Sequence, residues 1–271
     1  MRFDYGTQIS PTPITLSIGT LRKPKLKEIC ELTFDKFTFY EFLAKMTPEI
    51  YYTQLNEKNG GKEYWESFTE EQQNDITLYS LILEDDFLSN IYVEMLNFFF
   101  VEKVVFAEGY FIVFKNDTKE LDNIEELDDI DTNNVRSVIS DKLFSQVLIS
   151  IQQICCIYDE KDDIDDAKYK NDLARKLMER MKKAAKQNKK KSDINLTLPN
   201  IISSVSNKHP SLNYINIWEL TIFQLMDAFN RLQRNTMYDI DSTRVSVWGD
   251  EKKTFDVSLW YKNEYDKKKS T

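Results

Sequence analysis

Three stretches of the chain place polar and apolar residues in one shared order at helical spacing. TFYEFLAKM (38–46), TLYSLILED (77–85) and TIFQLMDAF (221–229) each read Thr, apolar, aromatic, polar, apolar, apolar. A Thr at a helix start can accept a hydrogen bond from an unpaired N–H of the first turn, and a Glu or Gln three residues later can bond back to the Thr N–H. The pattern therefore predicts amphipathic helices that begin at Thr38, Thr77 and Thr221. The separations of 39 and 144 residues are irregular, which favours shared capping over an internal duplication.

Other helix starts follow from the same chemistry. Thr69, with Gln72 three residues later, predicts a helix that runs to about Leu83. Thr47 precedes Pro48, and a proline at the first helical position gives up only an N–H that has no partner there. Apolar periodicity predicts two further helices, over 87–100 and about 141–157.

Two short stretches have the character of strands instead. Ile14, Leu16 and Ile18 alternate with other residues and predict an N-terminal strand. VVFAEGYFIVF (104–114) is β-branched and aromatic on both sides of Glu108-Gly109, which predicts a β-hairpin. With only six Gly and six Pro, a many-turned sandwich or barrel is disfavoured. The predicted fold is mainly α with a minor β element, of the α+β class.

Charge runs and a linker divide the chain into three parts. Acidic sequence at 117–132 and 159–166 is typical of solvated segments, and 192–197 has the composition of a linker. We predict an N-terminal helical domain with the β-hairpin over 1–158, a charged helix and linker over 159–197, and a C-terminal helical unit over 198–271. From Met237 onward, aromatic residues lie in polar, turn-rich sequence, which predicts an ordered, partly extended tail.

Positive charge is concentrated in one segment. Residues 168–191 hold 11 Lys and Arg against two acidic residues, whereas the other residues have a balance of −18. Leu173, Leu177, Met181 and Ala185 recur every four residues, so we expect a helix with one apolar stripe and a cationic face. Such a helix can contact phosphates, but it has a single aromatic residue for base stacking, and the net charge of −9 repels a polyanion. A solvated helix, or one that docks on an acidic protein surface, is favoured over a nucleic-acid arm.

Residues suited to catalysis are sparse. The one histidine, His209, argues against a multi-histidine metal site and a catalytic triad, and is expected at the surface or capping a loop. Asp239 and Asp241 could present oxygen ligands to Mg²⁺, but Asp-x-Asp also occurs in plain acidic sequence at 163–165, so turn or helix-end chemistry is favoured. No glycine-rich phosphate-binding motif is present. We expect no enzymatic activity, no metal site and no cofactor.

Cysteine usage and hydropathy indicate in which cellular compartment the protein is expected. Cys155 and Cys156 are adjacent in an apolar helix and are expected to be buried, inert thiols. The three cysteines have the spacing of neither a disulfide framework nor a metal-binding pair. The first residues lack the apolar core of a secretory signal, and no stretch reaches 18 uninterrupted apolar residues. We expect a cytoplasmic protein without a membrane contact.

Two stretches resemble a known class of proteins. RKPKLKEICELTFDKFTFYEFL (22–43) and WELTIFQLMDAFNRLQ (218–233) are similar to accessory proteins of tailed bacteriophages and prophages, most narrowly to the tail-assembly-chaperone type encoded near the tape-measure protein. The shared features are a short N-terminal β segment, a helix start in which Leu-Thr precedes an aromatic residue, and a charged helical middle. Residues 32–43 and 220–232 carry the resemblance, over about a tenth of the chain.

The resemblance implies a non-enzymatic protein that shields aggregation-prone partner surface during assembly in the bacterial host cell. The implied partner is a phage tail or tape-measure protein, of which an amphipathic helix or extended segment would lie in an aromatic-lined groove. The expected contact residues are Phe39, Tyr40, Trp218, Phe223, Trp248 and Trp260, with Arg175, Arg180 and Lys183 steering acidic partners. The alternatives are a structural component of the phage particle and a nucleic-acid-binding protein that uses 168–191. The oligomeric state is left open.

Overall fold

A computed structural model describes residues 2–56, 59–115, 132–157, 194–250, 255–263 and 265. This part of the chain is mainly helical with two small antiparallel sheets, which confirms the predicted α+β class. The acidic sequences predicted as solvated segments, apart from Thr132, lie outside the described residues, and so does the basic segment 168–191.

Helices account for most of the described residues. In chain order they are α1 (Tyr5–Ile9), α2 (Leu26–Leu32), α3 (Phe34–Ala44), α4 (Pro48–Ile50), α5 (Gly61–Glu66), α6 (Glu70–Asp75), α7 (Leu78–Glu84), α8 (Asp86–Phe99), α9 (Asp141–Ile154), α10 (Leu198–Lys208) and α11 (Ile222–Trp248). A wider π-helical turn follows α4 over Tyr51–Leu55, and 3₁₀ turns occupy Thr132–Asn134, Ile194–Leu196 and Ile217–Glu219.

Five strands form the two sheets. They are β1 (Ile14–Leu16), β2 (Gly19–Leu21), β3 (Val104–Ala107), β4 (Tyr110–Phe114) and β5 (Val135–Ile139). β1 pairs with β2, and the second sheet has the order β3-β4-β5 with every pair antiparallel. The predicted N-terminal strand and the hairpin at 104–114 are both confirmed.

The turn of the second hairpin has the chemistry that its sequence predicts. Ala107 pairs with Tyr110, so the loop contains only Glu108 and Gly109. Both residues have positive φ, of 51° and 78°. Two consecutive left-handed residues match the right-handed twist of the strands that they join.

Most of the predicted helix starts are confirmed. The Thr69 side chain accepts a hydrogen bond from Gln72 N, and the Gln72 side chain accepts one from Thr69 N. Thr47 caps α4, with Pro48 in the first turn. The helices predicted over 87–100 and 141–157 are α8 and α9, within three residues at each end.

The predicted start at Thr38 was wrong. α3 begins at Phe34, and its cap is Thr33, the side-chain oxygen of which accepts a hydrogen bond from Lys36 N at 3.3 Å. The earlier start places Phe37 on the same buried face as Tyr40 and Leu43. That face packs into the core. A helix that started at Thr38 would not have included Phe37 in this face.

The predicted continuation of one helix from Thr69 to Leu83 was also wrong. α6 ends at Asp75, and α7 starts anew with Thr77 as its cap. Thr77 and Ser80 exchange side-chain hydrogen bonds with each other's backbone N–H groups. The break confirms the start predicted at Thr77 and turns the chain between two short helices.

The predicted extended tail from Met237 was wrong over its first part. Residues up to Trp248 belong to α11, which runs for 27 residues from Ile222. At the start of this helix, Thr221 and Gln224 form the predicted reciprocal capping bonds, of 3.3 Å and 3.0 Å.

The described residues form two compact units. Unit 1 comprises those of Met1–Cys156, Glu219–Gln224 and Asn263–Thr271, and unit 2 those of Ile157–Trp218 and Leu225–Lys262. α11 therefore starts in unit 1 and continues in unit 2. The division into 1–158, 159–197 and 198–271 stays a prediction.

The core of unit 1 contains a cluster of four aromatic rings, Tyr79, Tyr92, Phe111 and Phe144, named here the buried aromatic cluster. Phe111 of β4 stacks on Phe144 of α9, with the ring centroids 5.2 Å apart. The two tyrosines pack edge-on against Phe144 at 5.5 Å and 5.2 Å. Stacked and edge-to-face rings at these distances add to the stabilisation from apolar burial.

Several buried polar groups of unit 1 are hydrogen-bonded. The Tyr92 hydroxyl donates to Leu43 O at 3.0 Å and Gln152 Nε2 donates to Ala44 O at 2.6 Å, so two side chains bond to carbonyls at the end of α3. The Glu102 carboxylate, fully buried, accepts from Thr20 N and from Arg136. Its charge is thereby paired, as burial requires.

Candidate partner-binding surface

The predicted aromatic contacts in unit 1 are mostly internal. Phe39 is half-buried in α3 and packs on Phe42, with ring centroids 6.2 Å apart. Tyr40 and Phe223 are buried, with 2% and 1% exposed. Neither side chain is open to a partner in this structure.

Phe223 is buried because residues 219–224 are built into unit 1. Thr221 forms a β-bridge with Lys25, and Leu220 O accepts a hydrogen bond from Leu26 N. Phe223 then packs against Tyr5 and Tyr265, at 6.0 Å and 4.9 Å between ring centroids.

Ion pairs hold the start of the same segment. Glu219 accepts from Lys25 Nζ at 2.6 Å and from Lys27 Nζ at 2.9 Å. These two hydrogen bonds lower the pKa of Glu219 to about 2. The segment that resembles phage accessory proteins around Leu220 thus has a structural role within unit 1.

The predicted contact residues in unit 2 are more accessible. Trp218 is half-buried and donates its indole N–H to Tyr214 O at 2.9 Å. Trp248 and Trp260 are exposed. The predicted cationic contacts Arg175, Arg180 and Lys183 lie outside the described residues. The six aromatic residues are divided between the two units, three in each.

The second half of α11 carries an exposed apolar face. Met237, Ile240, Val247 and Trp248 are between 57% and 81% exposed, and they are named here the α11 stripe. At 100° per residue, these positions lie within an arc of about 100° on one side of the helix. They extend over about 16 Å along the helix axis. Met237 and Ile240 are neighbours on the helix surface, and Arg244 separates them from Val247 and Trp248 along the same face.

The two sides of the helix that flank the α11 stripe pack within unit 2. Thr236 accepts a hydrogen bond from Lys208 Nζ of α10 at 2.9 Å, and Tyr238 packs against Phe255 at 5.5 Å between ring centroids. The helix ends at Gly249, which has a φ of 78°. A left-handed glycine commonly stops a helix, and here it leaves Trp248 at the last helical position.

Further apolar side chains are exposed after the helix end. Val257, Trp260 and Tyr261 are all exposed, and the last two rings contact each other edge-on at 5.0 Å. Charges near the α11 stripe are mixed in sign, since Arg244 pairs with Asp241 at 3.2 Å. Unit 2 thus presents apolar surface without a strong local charge of one sign among these residues.

The candidate metal ligands diverge. Asp239 and Asp241 lie inside α11, not at a turn or helix end as predicted, so their side chains point about 200° apart around the axis. Within the described ranges, no group of three or more His, Cys, Asp or Glu residues is placed to hold a metal ion.

The other candidate reactive groups have structural roles. His209 Nδ1 accepts hydrogen bonds from the backbone N–H groups of Ser211 and Leu212, which confirms the loop-capping prediction. Cys155 is buried, and burial raises the pKa of its thiol well above the usual value. A thiol held in its protonated form is a poor nucleophile. The prediction of burial is confirmed for Cys155, whereas Cys156 is only half-buried.

Prediction from the sequence missed three of the four residues of the α11 stripe. Met237, Ile240 and Val247 lay in the stretch predicted as an extended tail. Their spacing of three and seven residues is helical, and Gly249 marks the helix end. The polar residues between them obscured this signal.

A membrane-spanning helix must be both long and apolar. None of the helices of the described residues is long and apolar enough to cross a bilayer.

One comparison with known proteins gave a match. Residues 186–265 are similar to a family model described as YomV second domain, and the match covers 80 of the 271 residues. It includes α10, α11 and the α11 stripe. The match supports a YomV-type domain in this part of the chain and suggests a phage- or prophage-related protein. Searches of curated proteins and of solved structures found no significant match.

Proposed function

We propose that this protein is a non-enzymatic, protein-binding accessory factor of a phage or prophage. Its task in this proposal is that of a tail-assembly chaperone, which shields a structural partner such as a tape-measure or tail protein. The α11 stripe is the observation that carries the proposal. Four large apolar side chains share one exposed helix face in the region similar to the YomV second domain.

The physical argument rests on apolar burial. A side chain of this kind contributes about 1.5–3 kcal/mol when it is fully removed from water. Four of them together are comparable with the roughly 4–15 kcal/mol that association costs in lost translational and rotational freedom. We therefore expect reversible binding, which suits a chaperone that must release its partner.

The geometry fits a helical partner. An amphipathic helix can lay apolar residues at i, i+3, i+4 and i+7 along a stripe about 16 Å long. Trp248 is 81% exposed and is the side chain with most surface to bury on binding. Exposed aromatic residues of this size are often the energetic centres of protein interfaces.

The test is affinity purification of the tagged full chain from cells that express its native gene neighbourhood. Samples with and without nuclease treatment are compared by mass spectrometry. We expect a stoichiometric phage-encoded tail or tape-measure protein that survives nuclease, and we expect Ile240→Glu to remove it. Asn235→Glu is the matched control, because it adds the same charge at another exposed position of α11.

Three results would contradict the proposal. Retention of the partner by Ile240→Glu at the level of Asn235→Glu would remove the α11 stripe from the interface. Stoichiometric recovery of this protein in purified particles would support the structural-component alternative. Recovery of nucleic acid alone, released by salt, would support the nucleic-acid alternative and direct attention to 168–191.

A further inference from the structure

A second group of aromatic rings lies at the surface of unit 1. Tyr52, Tyr64, Trp65 and Phe68 form this group, named here the surface aromatic cluster. Tyr52 stacks on Trp65 with the ring centroids 5.4 Å apart, and Tyr64 packs edge-on against Phe68 at 4.7 Å. None of the four side chains is fully buried, and Tyr64 is 56% exposed.

The backbone brings these rings together by a close approach. Gly61 N donates to Asn56 O at 3.0 Å, which fixes the start of α5 against the π-helical turn. A Cβ at Gly61 would lie 2.7 Å from Asn56 O, so only glycine allows this contact. The approach sets Tyr64, Trp65 and Phe68 around Tyr52. Single π-helical turns are frequent at functional sites.

Neither the Tyr52 nor the Tyr64 hydroxyl makes a hydrogen bond with a described residue. Both groups can therefore donate to or accept from a bound partner.

The charge of the chain around the cluster is predominantly negative. Residues 47–86 contain ten acidic and two basic side chains, a net charge of −8 in a chain whose net charge is −9. Glu63 and Glu66 of α5 and Glu84 of α7 are exposed, and none of them pairs with a Lys or Arg of the described residues. Unpaired carboxylates beside open ring faces form a strongly anionic surface.

The negative charge extends to the edge of the rings. The Tyr51 hydroxyl, next to the cluster, donates to Asp85 at 3.0 Å. Burial, and then the hydrogen bond and charge of Asp85, raise the pKa of Tyr51 to about 12. Burial, then Tyr64 and Glu84, also raise the pKa of Tyr52.

We propose that the surface aromatic cluster and its carboxylates dock a Lys/Arg-rich segment of a partner protein. Ring faces of Trp and Tyr attract ammonium and guanidinium groups, and the neighbouring carboxylates pair with the same cations. A nucleic acid is disfavoured, because its phosphates would meet a net charge of −8. A second copy in a two-fold dimer is disfavoured too, because the same anionic surface would face itself. This surface is independent of the α11 stripe, so the proposal stands apart from the function proposed above.

The test is a fluorescence anisotropy titration of the full chain with a labelled peptide of alternating Lys, Arg and Leu. A peptide with Glu in place of every cation is the charge-inverted control. We expect binding of the cationic peptide alone, weakened by added salt. Tyr64→Leu keeps the apolar bulk but removes the ring face, and we expect it to weaken binding by about two- to five-fold. Glu63→Gln with Glu66→Gln should weaken binding further and reduce its salt dependence.

Matched variants separate the site from general effects. Tyr110→Leu removes a ring outside the cluster that is 48% exposed, close to the 56% of Tyr64. Glu31→Gln removes an exposed carboxylate outside residues 47–86. Equal affinities of Tyr64→Leu and Tyr110→Leu, or equal binding of the charge-inverted peptide, would overturn the proposal. Binding that appears only when Lys189, Lys190 and Lys191 are changed to Gln would assign the surface to the chain's own basic segment and would also overturn it.

Discussion

Unit 1 contains two groups of four aromatic residues that differ in almost every physical respect. The buried aromatic cluster joins α7, α8, α9 and β4, which come from widely separated parts of the sequence. The surface aromatic cluster is formed within residues 52–68. Long-range packing has enclosed the first group, whereas local folding has assembled the second and left it open.

The tyrosine hydroxyls show the consequence. In the buried aromatic cluster, the Tyr79 hydroxyl lies 2.9 Å from both Gly109 O and Ile139 O, which share its single proton, and Tyr92 donates to Leu43 O. In the surface aromatic cluster, Tyr52 and Tyr64 leave their hydroxyls without a partner among the described residues. Burial demands internal hydrogen bonds, while a binding surface can leave them to the partner.

The largest expected effect is the loss of a buried ring. Phe111→Ala should lower the free energy of unfolding by about 3–5 kcal/mol, because it removes the ring that stacks on Phe144 and leaves a cavity. Tyr64→Ala should change it by less than about 1 kcal/mol, because that side chain is already largely in water. Urea denaturation followed by circular dichroism measures both. If both variants lowered the free energy of unfolding by similar amounts, the two clusters would not differ in their contribution to stability.

A smaller effect is expected from the hydroxyl groups alone. Tyr92→Phe should cost about 0.5–1.5 kcal/mol of unfolding free energy, because it removes a buried hydrogen bond to Leu43 O, which keeps only its bonds from backbone N–H groups such as that of Met46. Tyr64→Phe is the matched control and should be neutral within about 0.5 kcal/mol. The same denaturation experiment compares them. A neutral Tyr92→Phe would mean that the bond from Met46 N already satisfies the Leu43 carbonyl and that the hydroxyl adds no net stability.

The smallest effect concerns a carboxyl group on the buried side of unit 1. Burial raises the pKa of Glu41 in α3 from 4.5 to about 7, against the opposing effect of Lys45. The folded protein therefore keeps this proton to about pH 7, while the unfolded chain releases it near pH 4.5. Since the folded state binds more protons in this interval, the contribution of Glu41 to stability falls as the pH rises from about 4.5 to about 7, and it is constant above.

Glu41→Gln should abolish this decrease in the free energy of unfolding with rising pH. Relative to the wild type, the variant should gain stability between pH 4.5 and pH 8, by on the order of 1 kcal/mol because the carboxyl is only half-buried. Glu66→Gln, in the exposed α5, is the control for loss of a carboxylate. Denaturation midpoints across this pH range measure the difference. A pH-independent gap between wild type and Glu41→Gln would show that Glu41 is not the titrating group.

Local chemistry made several elements predictable. The helix caps depend only on residues within one helical turn, as at Thr47, Thr69, Thr77 and Thr221. The hairpin turn depends only on its two loop residues, Glu108 and Gly109. Thr38 failed because two threonines, five residues apart, can each begin the same helix. The choice of Thr33 follows from the burial of Phe37, which the core decides.

The candidate surfaces were less predictable. Trp248 was identified from its type alone, whereas the other members of the α11 stripe required knowledge that the helix continues to Gly249. The surface aromatic cluster depends on the contact between Gly61 and the π-helical turn, and no local pattern specifies that contact.

Phe223 and Trp248 mark the division between what the sequence determined and what it did not. The sequence by itself determined that Phe223 lies in a capped amphipathic helix, that the fold is mainly helical with a hairpin at 104–114, and that positive charge is concentrated in 168–191. Only the tertiary structure decided that Phe223 is enclosed by Tyr5 and Tyr265 while Trp248 is open to solvent. The physical reason is that helical periodicity specifies which side chains share a face, whereas burial depends on neighbours that are distant in the sequence.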